Sequence, residues 1–411
     1  MMTSDGTSPA RNAAIWYAAD GFDPGRGVNG RRMAGESLLR GWFRHAQVSE
    51  FLGLTFGAGE AARFAALAAD AGVRVPVRTA YLDRAREMAP VGTLFYSGPV
   101  FTTEAWRREI WGQRAYSICG MTHTMSTRAV MEGMAVLRAA PQAEWDAVIC
   151  TSRAVRAVLE GQLDLIDAHH ARRFGGVRPP RMQLPVIPLG VDCADFTADA
   201  AAGAALRARL GIAPGDAVAL IVARLTPHEK FDPLPVYIAL QQAQAGAGRR
   251  LHLLLYGRYP EDYSRRVFEG AAPGLMPDVG FHHLPHDGAE ARRAALSAAD
   301  MFLFPIDNLQ ESFGIAPVEA MAAGLPVIAS DWDGIRDTVT PEVGIRVPTL
   351  GARAEHAVMT GLRYYGGTDT YPQFLSQMSA ITRLDVAALA QAVRAVMTNP
   401  DLGRRLGQAG Q

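Results

Sequence analysis

The chain has 411 residues, of which 49% are hydrophobic and 20% charged, and its 41 basic and 41 acidic residues leave no net charge. This length exceeds what one hydrophobic core normally holds and predicts two or three domains of an ordinary globular protein. Balanced charge without a basic run argues against a nucleic-acid partner. The lack of a signal-peptide core or of ~18 consecutive apolar residues predicts a cytoplasmic protein with at most peripheral membrane contact.

The first half of the chain alternates short apolar runs with longer amphipathic stretches. This alternation predicts a parallel sheet covered by helices on both faces. The predicted strands are residues 13–19, 52–56, 93–98, 116–121, 146–151 and 184–189, and the clearest predicted helices are residues 36–46, 60–72, 104–111 and 153–175.

The alternation pauses over residues 190–203, where small and acidic residues dominate, and then resumes. We therefore predict two doubly wound, Rossmann-like α/β domains, residues 1–195 and 196–411, that face each other across a cleft. Ligands of such sheets bind beyond the carboxyl ends of the strands, so the cleft is the expected site. The strands predicted in the second half are residues 217–225, 251–257, 278–284, 301–306, 326–330 and 344–348.

Lys230, in VARLTPHEKFD (222–232), is the only lysine of the chain. Arginine presents a flat, rigid fork, whereas lysine presents a compact charge on a flexible stem. A site that needs one small, movable cation on a phosphate oxygen would resist exchange to arginine. Chance survival in an arginine-biased sequence explains the same observation, and both interpretations stay open at this point.

Glu311 and Glu319 stand with seven residues between them in ESFGIAPVEAMAAG (311–324). The pattern predicts a helix that opens near Gly314, and the free N–H groups at its start would attract an anion. One carboxylate on each side of that anion suits a ligand whose hydroxyls flank a diphosphate, as in a nucleotide sugar. The alternative is that both glutamates only interact favourably with the dipole at the helix N-terminus. This alternative explains Glu311 better than Glu319, which lies among apolar residues.

These motifs resemble the E-x7-E signature of the retaining glycosyltransferases of family 4, which have the two-domain GT-B fold. The resemblance covers most of the chain and is strongest from VIPLGVD (186–192) to GIRV (344–347). It implies that Arg224 and Lys230 bind the donor diphosphate, the lysine neutralising charge as the nucleotide leaves. It also implies that Glu311 holds the transferred sugar and Glu319 the ribose.

Further donor contacts follow from the same resemblance. Phe313, Gly314 and Ile315 would give backbone donors, and Gly257 would let the backbone approach the nucleotide. Residues 282–287, Leu284 among them, resemble the loop that holds the base through backbone groups. In the first half, His123 matches a histidine that the family places in the cleft near the donor sugar, although a structural core histidine is the alternative.

A glycine-rich loop follows the first predicted strand. Gly25, Gly27 and Gly30 fit G-x-G-x-x-G, but the motif starts about six residues after the strand instead of directly after it, which argues against a dinucleotide site. The resemblance makes Gly30 the candidate for close approach to donor and acceptor. Paired arginines such as Arg31–Arg32 and Arg107–Arg108 are expected on the solvated surface.

The implied reaction moves a sugar from a UDP- or GDP-sugar to the hydroxyl of a saccharide, lipid-linked or other acceptor, in glycan, polysaccharide or glycolipid synthesis. Configuration would be retained, and neither a metal nor another cofactor is expected. The base, sugar, acceptor, linkage and oligomeric state stay open. The rival functions are a GT-B nucleotide-sugar epimerase or phosphorylase, and a non-catalytic nucleotide- or NAD-binding scaffold.

Two features depart from the family's pattern. Residues 349–384 intervene before the last predicted helices, and we interpret them as an acceptor or oligomerisation element. The family's final helix crosses back to the first half, whereas this sequence stops at GRRLGQAGQ (403–411), which is explained by a truncation or by a replaced cap.

Overall fold

The computed structural model describes residues 12–22, 30–88, 90–176, 179–309 and 311–411. The chain divides into two compact units after Gly190, which lies near the boundary predicted at residue 195. Gly25 and Gly27 of the glycine-rich loop lie outside the described residues. The two units are described separately below.

The first unit is built on a parallel sheet of six strands within the described residues, in the order β3-β2-β1-β4-β5-β6. Its strands are β1 (Ala14–Trp16), β2 (Phe51–Thr55), β3 (Val77–Tyr81), β4 (Thr93–Phe95), β5 (Ser117–Met121) and β6 (Ala147–Ile149). Its helices are α1 (Ala19–Phe22), α2 (Gly30–His45), α3 (Ala58–Asp70), α4 (Thr102–Glu109), α5 (Arg128–Ala139) and α6 (Arg153–Phe174), with a 3-10 helix at Leu82–Met88.

In this unit one predicted strand is wrong and one observed strand was not predicted. Strand β3 was not predicted because it forms the sheet edge, where Arg78 pairs with Glu50 and Glu87 and polar residues hide the pattern. Residues 184–189 were predicted as a strand but form only an isolated bridge from Val186 to Cys150. Prolines within 184–189 lack the N–H that a ladder requires, which explains why no strand forms.

Arg108 contradicts the expectation that paired arginines lie on the surface. Its side chain is 0% exposed and forms a bidentate ion pair with Asp146, which is also 0% exposed. The neighbouring Arg107 instead pairs with Glu104 on the same helix turn. A buried charge is tolerated when it is paired and hydrogen-bonded, so this arginine is a structural element of the first unit.

The second unit contains a second six-stranded parallel sheet within the described residues and a small antiparallel ribbon. Its strands are β7 (Ala217–Val222), β8 (Leu251–Tyr256), β9 (Gly280–Leu284), β10 (Met301–Phe304), β11 (Val327–Ser330), β12 (Gly344–Val347), β13 (Thr349–Leu350) and β14 (Arg383–Leu384). Its helices are α7 (Ala200–Arg209), α8 (Pro233–Gln244), α9 (Asp262–Leu275), α10 (Ala289–Ala298), α11 (Ile315–Ala322), α12 (Ile335–Thr338), α13 (Val358–Tyr365), α14 (Tyr371–Ala380), α15 (Val386–Thr398) and α16 (Pro400–Gly410).

The second sheet has the order β12-β11-β10-β7-β8-β9, so the chain reverses its direction of winding between β7 and β10. The central strands β7 and β8 are buried almost throughout, which explains why they read as continuous apolar runs. The prediction of two doubly wound, Rossmann-like units is confirmed. A topological switch point of this kind is where doubly wound sheets bind ligands, so the loops after β7 and β10 are the first place to look for a site.

Residues 349–384 form a separate insertion in the second unit. Strands β13 and β14 pair antiparallel and enclose α13 and α14. Within the described residues, none of the helices combines the length and apolarity needed to cross a membrane.

Candidate functional site

Lys230 and Glu311 meet at the switch point of the second sheet. Lys230 follows β7 and Glu311 follows β10, and the lysine Nζ lies 2.5 Å from Glu311 Oε2. The same two loops are joined by the Asp232 N–H, which donates to Asp307 Oδ2 at 3.0 Å. A cation and a carboxylate 81 residues apart in sequence are therefore adjacent and held by a shared backbone framework.

Helix α11 begins directly after this pair. Gly314 precedes the helix with φ +79°, a left-handed conformation that favours glycine, and Ile315 is the first helical residue. Phe313 before it is buried. The first N–H groups of a helix have no partner inside the helix and attract anions, although Pro317 supplies none of them. The predicted backbone donors therefore lie at a helix start beside Lys230 and Glu311.

Arg224, also predicted to bind phosphate, lies in the loop between β7 and Lys230. Its guanidinium is 2.5 Å from Glu229, and about half of its side chain is exposed. The two predicted phosphate-binding cations thus each have a carboxylate partner, Glu229 for Arg224 and Glu311 for Lys230. A diphosphate that binds here would have to displace these carboxylates from the two cations. When no ligand is bound, the carboxylates reduce the free-energy cost of leaving the two cations without a phosphate partner.

Glu319 lies on α11 and is buried, with an ion pair to Arg292 of α10. Sequence reasoning did not single out Arg292, which stands in an ordinary amphipathic helix. The only available signal was the need for a cation near a glutamate expected inside a buried helix. The two glutamates therefore have different cationic partners: Lys230 pairs with Glu311, and Arg292 pairs with Glu319.

Gly257 and Leu284 connect the loops beyond β8 and β9. The Gly257 N–H donates to the Leu284 carbonyl at 3.0 Å. A Cβ on Gly257 would lie 1.9 Å from the Ala223 carbonyl oxygen, so this position excludes any other residue. The glycine thus lets the loop after β8 press against the loop that leads to Arg224, a packing reason that does not depend on a ligand.

The two predicted site residues of the first unit lie on its own framework. His123 follows β5, is half-buried, and its Nε2 donates to the Ser97 carbonyl at 2.8 Å. Gly30 opens α2. Each is therefore placed at the end of a secondary-structure element in the first unit, and their roles stay predictions.

Residues 331–335, after β11, form a turn against the Glu311 loop that sequence reasoning missed. The Trp332 indole N–H donates to the Asn308 carbonyl at 3.0 Å. A Cβ on Gly334 would lie 1.9 Å from the Ser312 carbonyl oxygen. Burial and the nearby Glu311 carboxylate raise the pKa of Asp333 to about 7. The signal available was positional, since polar residues directly after a strand of this sheet lie at its ligand edge.

Asp307 connects the insertion to the same loop. Its Oδ1 accepts from Ser379 of α14 at 2.7 Å, while Oδ2 accepts from the Asp232 N–H. Burial raises the pKa of Asp307 to about 7. The insertion therefore reaches the loop that leads to Glu311, whereas its interpretation as an acceptor or oligomerisation element stays a prediction.

Replacing Asp307 with asparagine is expected to flatten the pH dependence of stability. Asp307 keeps its proton up to about pH 7 when folded, while its ordinary pKa is 3.8, so its contribution is fully present below pH 3.8 and is lost as pH rises through 7. Asparagine can still accept from the Asp232 N–H and donate to Ser379. With Asp333 still titrating, we expect Asp307→Asn to remove about half of the decline in apparent Tm between pH 5 and 8.

The measurement is a series of thermal melts at half-unit steps of pH. Glu342→Gln, at an exposed position whose carboxyl has a pKa below its ordinary 4.5, is the control and should keep the wild-type slope between pH 5 and 8. An unchanged slope for Asp307→Asn, with an equal drop in Tm at every pH, would show that Asp307 is ionised throughout.

Comparison with protein families finds a match in the middle of the second unit. Residues 216–359 match the model of the glycosyl transferases group 1 family. This segment begins just before β7 and ends in α13, so it includes Lys230, Glu311 and Glu319.

Similar proteins carry related names. Over 163 residues the chain is 33% identical to a D-inositol 3-phosphate glycosyltransferase of Nocardia farcinica, covering 39% of this chain and 35% of that one. It is 42% identical over 100 residues to a phosphatidyl-myo-inositol mannosyltransferase of Mycobacterium leprae, covering 24% and 25%. A D-inositol 3-phosphate glycosyltransferase of Geodermatophilus obscurus is 30% identical over 300 residues, covering 67% and 64%. The match thus spans about a third or less of the first two relatives.

Solved structures share the fold of nearly the whole chain. Anabaena Alr3699/HepE in complex with UDP superposes with a TM-score of 0.56 at 17% identity, covering 95% of this chain and 97% of that one. Sucrose-phosphate synthase from Thermosynechococcus elongatus gives 0.51 at 20% identity, covering 98% and 90%. At such identities the likeness shows the fold alone, and it confirms the predicted GT-B fold.

Proposed function

Because the chain belongs to the group 1 glycosyltransferases and has the GT-B fold, we propose that it moves a sugar from a nucleotide-sugar donor to an acceptor hydroxyl with retention of configuration. The observation that carries the proposal is the Lys230–Glu311 pair at the switch point, beside the start of α11. The pair puts an ammonium that can bind phosphate next to a carboxylate that can accept hydrogen bonds from hydroxyls. A nucleotide sugar presents a diphosphate and sugar hydroxyls next to each other along one molecule.

The donor is assigned to the second unit. The diphosphate would take Lys230 and the N–H groups at the start of α11, and Arg224 would join them by leaving Glu229. Glu311, once Lys230 turns to phosphate, would accept from hydroxyls of the transferred sugar. Glu319, further along α11, would accept from the ribose. Since UDP and UDP-glucose are bound by the similar Anabaena protein, a uridine donor is the first to test.

Departure of the nucleoside diphosphate is the step that this chain's residues assist. The bond from the anomeric carbon to the phosphate oxygen breaks, and negative charge accumulates on the β-phosphate. Lys230 and the helix N–H groups stabilise that charge more than the ground state, which lowers the barrier. The acceptor hydroxyl attacks from the face that the diphosphate leaves, and the leaving phosphate takes its proton.

The acceptor proposal comes from the names of the relatives. They are named for inositol phosphate and for phosphatidyl-myo-inositol. We therefore propose a polyol hydroxyl on a phosphorylated acceptor, with the lipid form bringing the chain to a membrane surface. Incubating the chain with UDP- and GDP-sugars and myo-inositol phosphates, and identifying the product by mass spectrometry, tests this directly.

Acetylation of the single lysine provides a test that does not require the acceptor. At a ligand concentration of roughly ten times Kd, bound nucleoside diphosphate should slow acetylation of Lys230 about tenfold, because the ammonium is then covered by phosphate. The measurement is mass spectrometry of the Lys230 peptide after a brief exposure to an acetylating reagent, with UDP, GDP, ADP or NAD present.

The terminal amine is the internal control and should react at one rate throughout. Protection by NAD alone would contradict the transferase proposal and favour a dinucleotide-binding scaffold. Protection by nucleoside diphosphates, together with their release from donor only when acceptor is present, would exclude an epimerase.

A further inference from the structure

Arg292 is a partly buried cation that the proposed reaction does not yet use. It is the fourth residue of α10, its side chain is 17% exposed, and its partner Glu319 is 5% exposed. Its guanidinium carbon lies 5.2 Å from the centre of the Phe196 ring. Burial lowers the pKa of Arg292, so this position places a charge where water solvates it poorly.

The surroundings of Arg292 connect it with the strand ends on the base side of the site. Tyr256 closes β8 just before Gly257, and its hydroxyl donates to the Gly288 carbonyl at 2.9 Å, directly before α10. The His286 ring lies edge-on to Tyr256 at 5.4 Å. Arg292 therefore lies between the loop expected to hold the base and the glutamate expected to hold the ribose.

The packing of α10 on α11 does not require this pair. Helices α10 and α11 already contribute Ala295, Leu296, Ala320 and Met321 to the apolar core of the second unit. Burying an ion pair where apolar side chains would fit is typically neutral or unfavourable for stability. The closest approach of the pair joins a terminal guanidinium nitrogen of Arg292 to Oε2 of Glu319, on the helix that begins beside Lys230 and Glu311.

We propose that Arg292 is a positioning residue for Glu319, which it holds in the orientation in which the carboxylate accepts from the ribose hydroxyls of the donor. This inference rests on the proposed function. Arg292 itself touches neither the reacting atoms nor the diphosphate. Its loss should therefore affect how the ribose is recognised and leave the chemical step nearly unchanged.

The test compares nucleoside diphosphates with and without the 2′-hydroxyl. By calorimetry, the wild-type chain should bind the ribose form of UDP or GDP about tenfold or more tightly than the 2′-deoxy form, since a hydroxyl donor to a carboxylate is a charge-assisted hydrogen bond. In Arg292→Met the ratio should fall to about twofold, and Arg292→Lys should restore most of it. For turnover, KM of the donor should rise while kcat stays within about threefold.

Two controls separate this role from a structural one. Arg293→Met, at the next position of the same helix, should keep the wild-type ratio. In a Glu319→Gln background, Arg292→Met should change the ratio no further, because the effect passes through Glu319. A lowered Tm with an unchanged ratio in Arg292→Met would show that the pair is structural and overturn the inference. If the wild-type chain binds no nucleoside diphosphate, the proposed function fails, and this inference fails with it.

Discussion

Replacing Lys230 with methionine is expected to lower kcat/KM by about 10²- to 10³-fold, the cost of removing one charged donor aimed at a developing anion. Methionine matches the length and flexibility of the lysine stem, so the loss isolates the ammonium. The structure supports this expectation because Lys230, whose side chain is partly buried, is bound to Glu311 beside the start of α11. Steady-state kinetics with saturating acceptor is the measurement.

Lys230→Arg tests the interpretation of the single lysine. If a small, movable charge is required, arginine should also lower turnover strongly although the formal charge is unchanged. Lysine has to leave Glu311 and reach phosphate, and a rigid guanidinium that binds a carboxylate through two hydrogen bonds makes that exchange slower. Near-normal turnover of Lys230→Arg would favour the alternative, that lysine survives here by chance.

A double variant separates phosphate binding from simple neutralisation of Glu311. In Lys230→Met, affinity for the nucleoside diphosphate should fall about tenfold or more, because a charge-assisted bond to phosphate is lost. If Lys230 serves only to neutralise Glu311, adding Glu311→Gln should restore the affinity. We expect no recovery, since the diphosphate itself needs the cation.

The sequence singled out the motif residues of the candidate site, whereas it did not single out the side chains that contact them. Lys230 and Glu311 were identified by residue type and spacing within continuous segments. Arg292 of α10 contacts Glu319 and Ser379 of the insertion contacts Asp307, and both side chains are ordinary for amphipathic helices. A contact between elements far apart in sequence depends on the packing of the sheet, which residue types alone do not encode.

Burial explains only part of what could be predicted of the fold. All six strands of the second sheet were predicted, and its central strands β7, β8 and β10 are continuous apolar runs. The edge strands β9 and β12 were predicted as well, although they are only partly buried. In the first unit the edge strand β3 was missed, since its burial is partial and Arg78 interrupts its pattern. Likewise, residues 184–189 were apolar enough to suggest a strand, but their prolines prevent a ladder.

Arg108→Met is expected to destabilise the first unit by about 3–5 kcal/mol, the usual cost of removing one partner of a buried ion pair. Arg108 donates through both terminal nitrogens to Asp146 and also to the carbonyls of Tyr116 and Pro141. Without it, Asp146 stays buried with only the backbone N–H groups of Ile118 and Ala143 as donors. The loss is therefore the cost of an uncompensated carboxylate and of two orphaned carbonyls.

Urea denaturation followed by tryptophan fluorescence measures this loss in the correct unit, since five of the six tryptophans precede residue 190. The control is Arg156→Met, which removes an exposed i,i+4 pair with Glu160 and should cost only about 0.3–0.5 kcal/mol. Adding Asp146→Asn to Arg108→Met should recover part of the stability, because a neutral amide oxygen still accepts from a backbone N–H without a buried charge. A loss for Arg108→Met no larger than that of Arg156→Met would mean that solvent reaches Asp146, contrary to its complete burial.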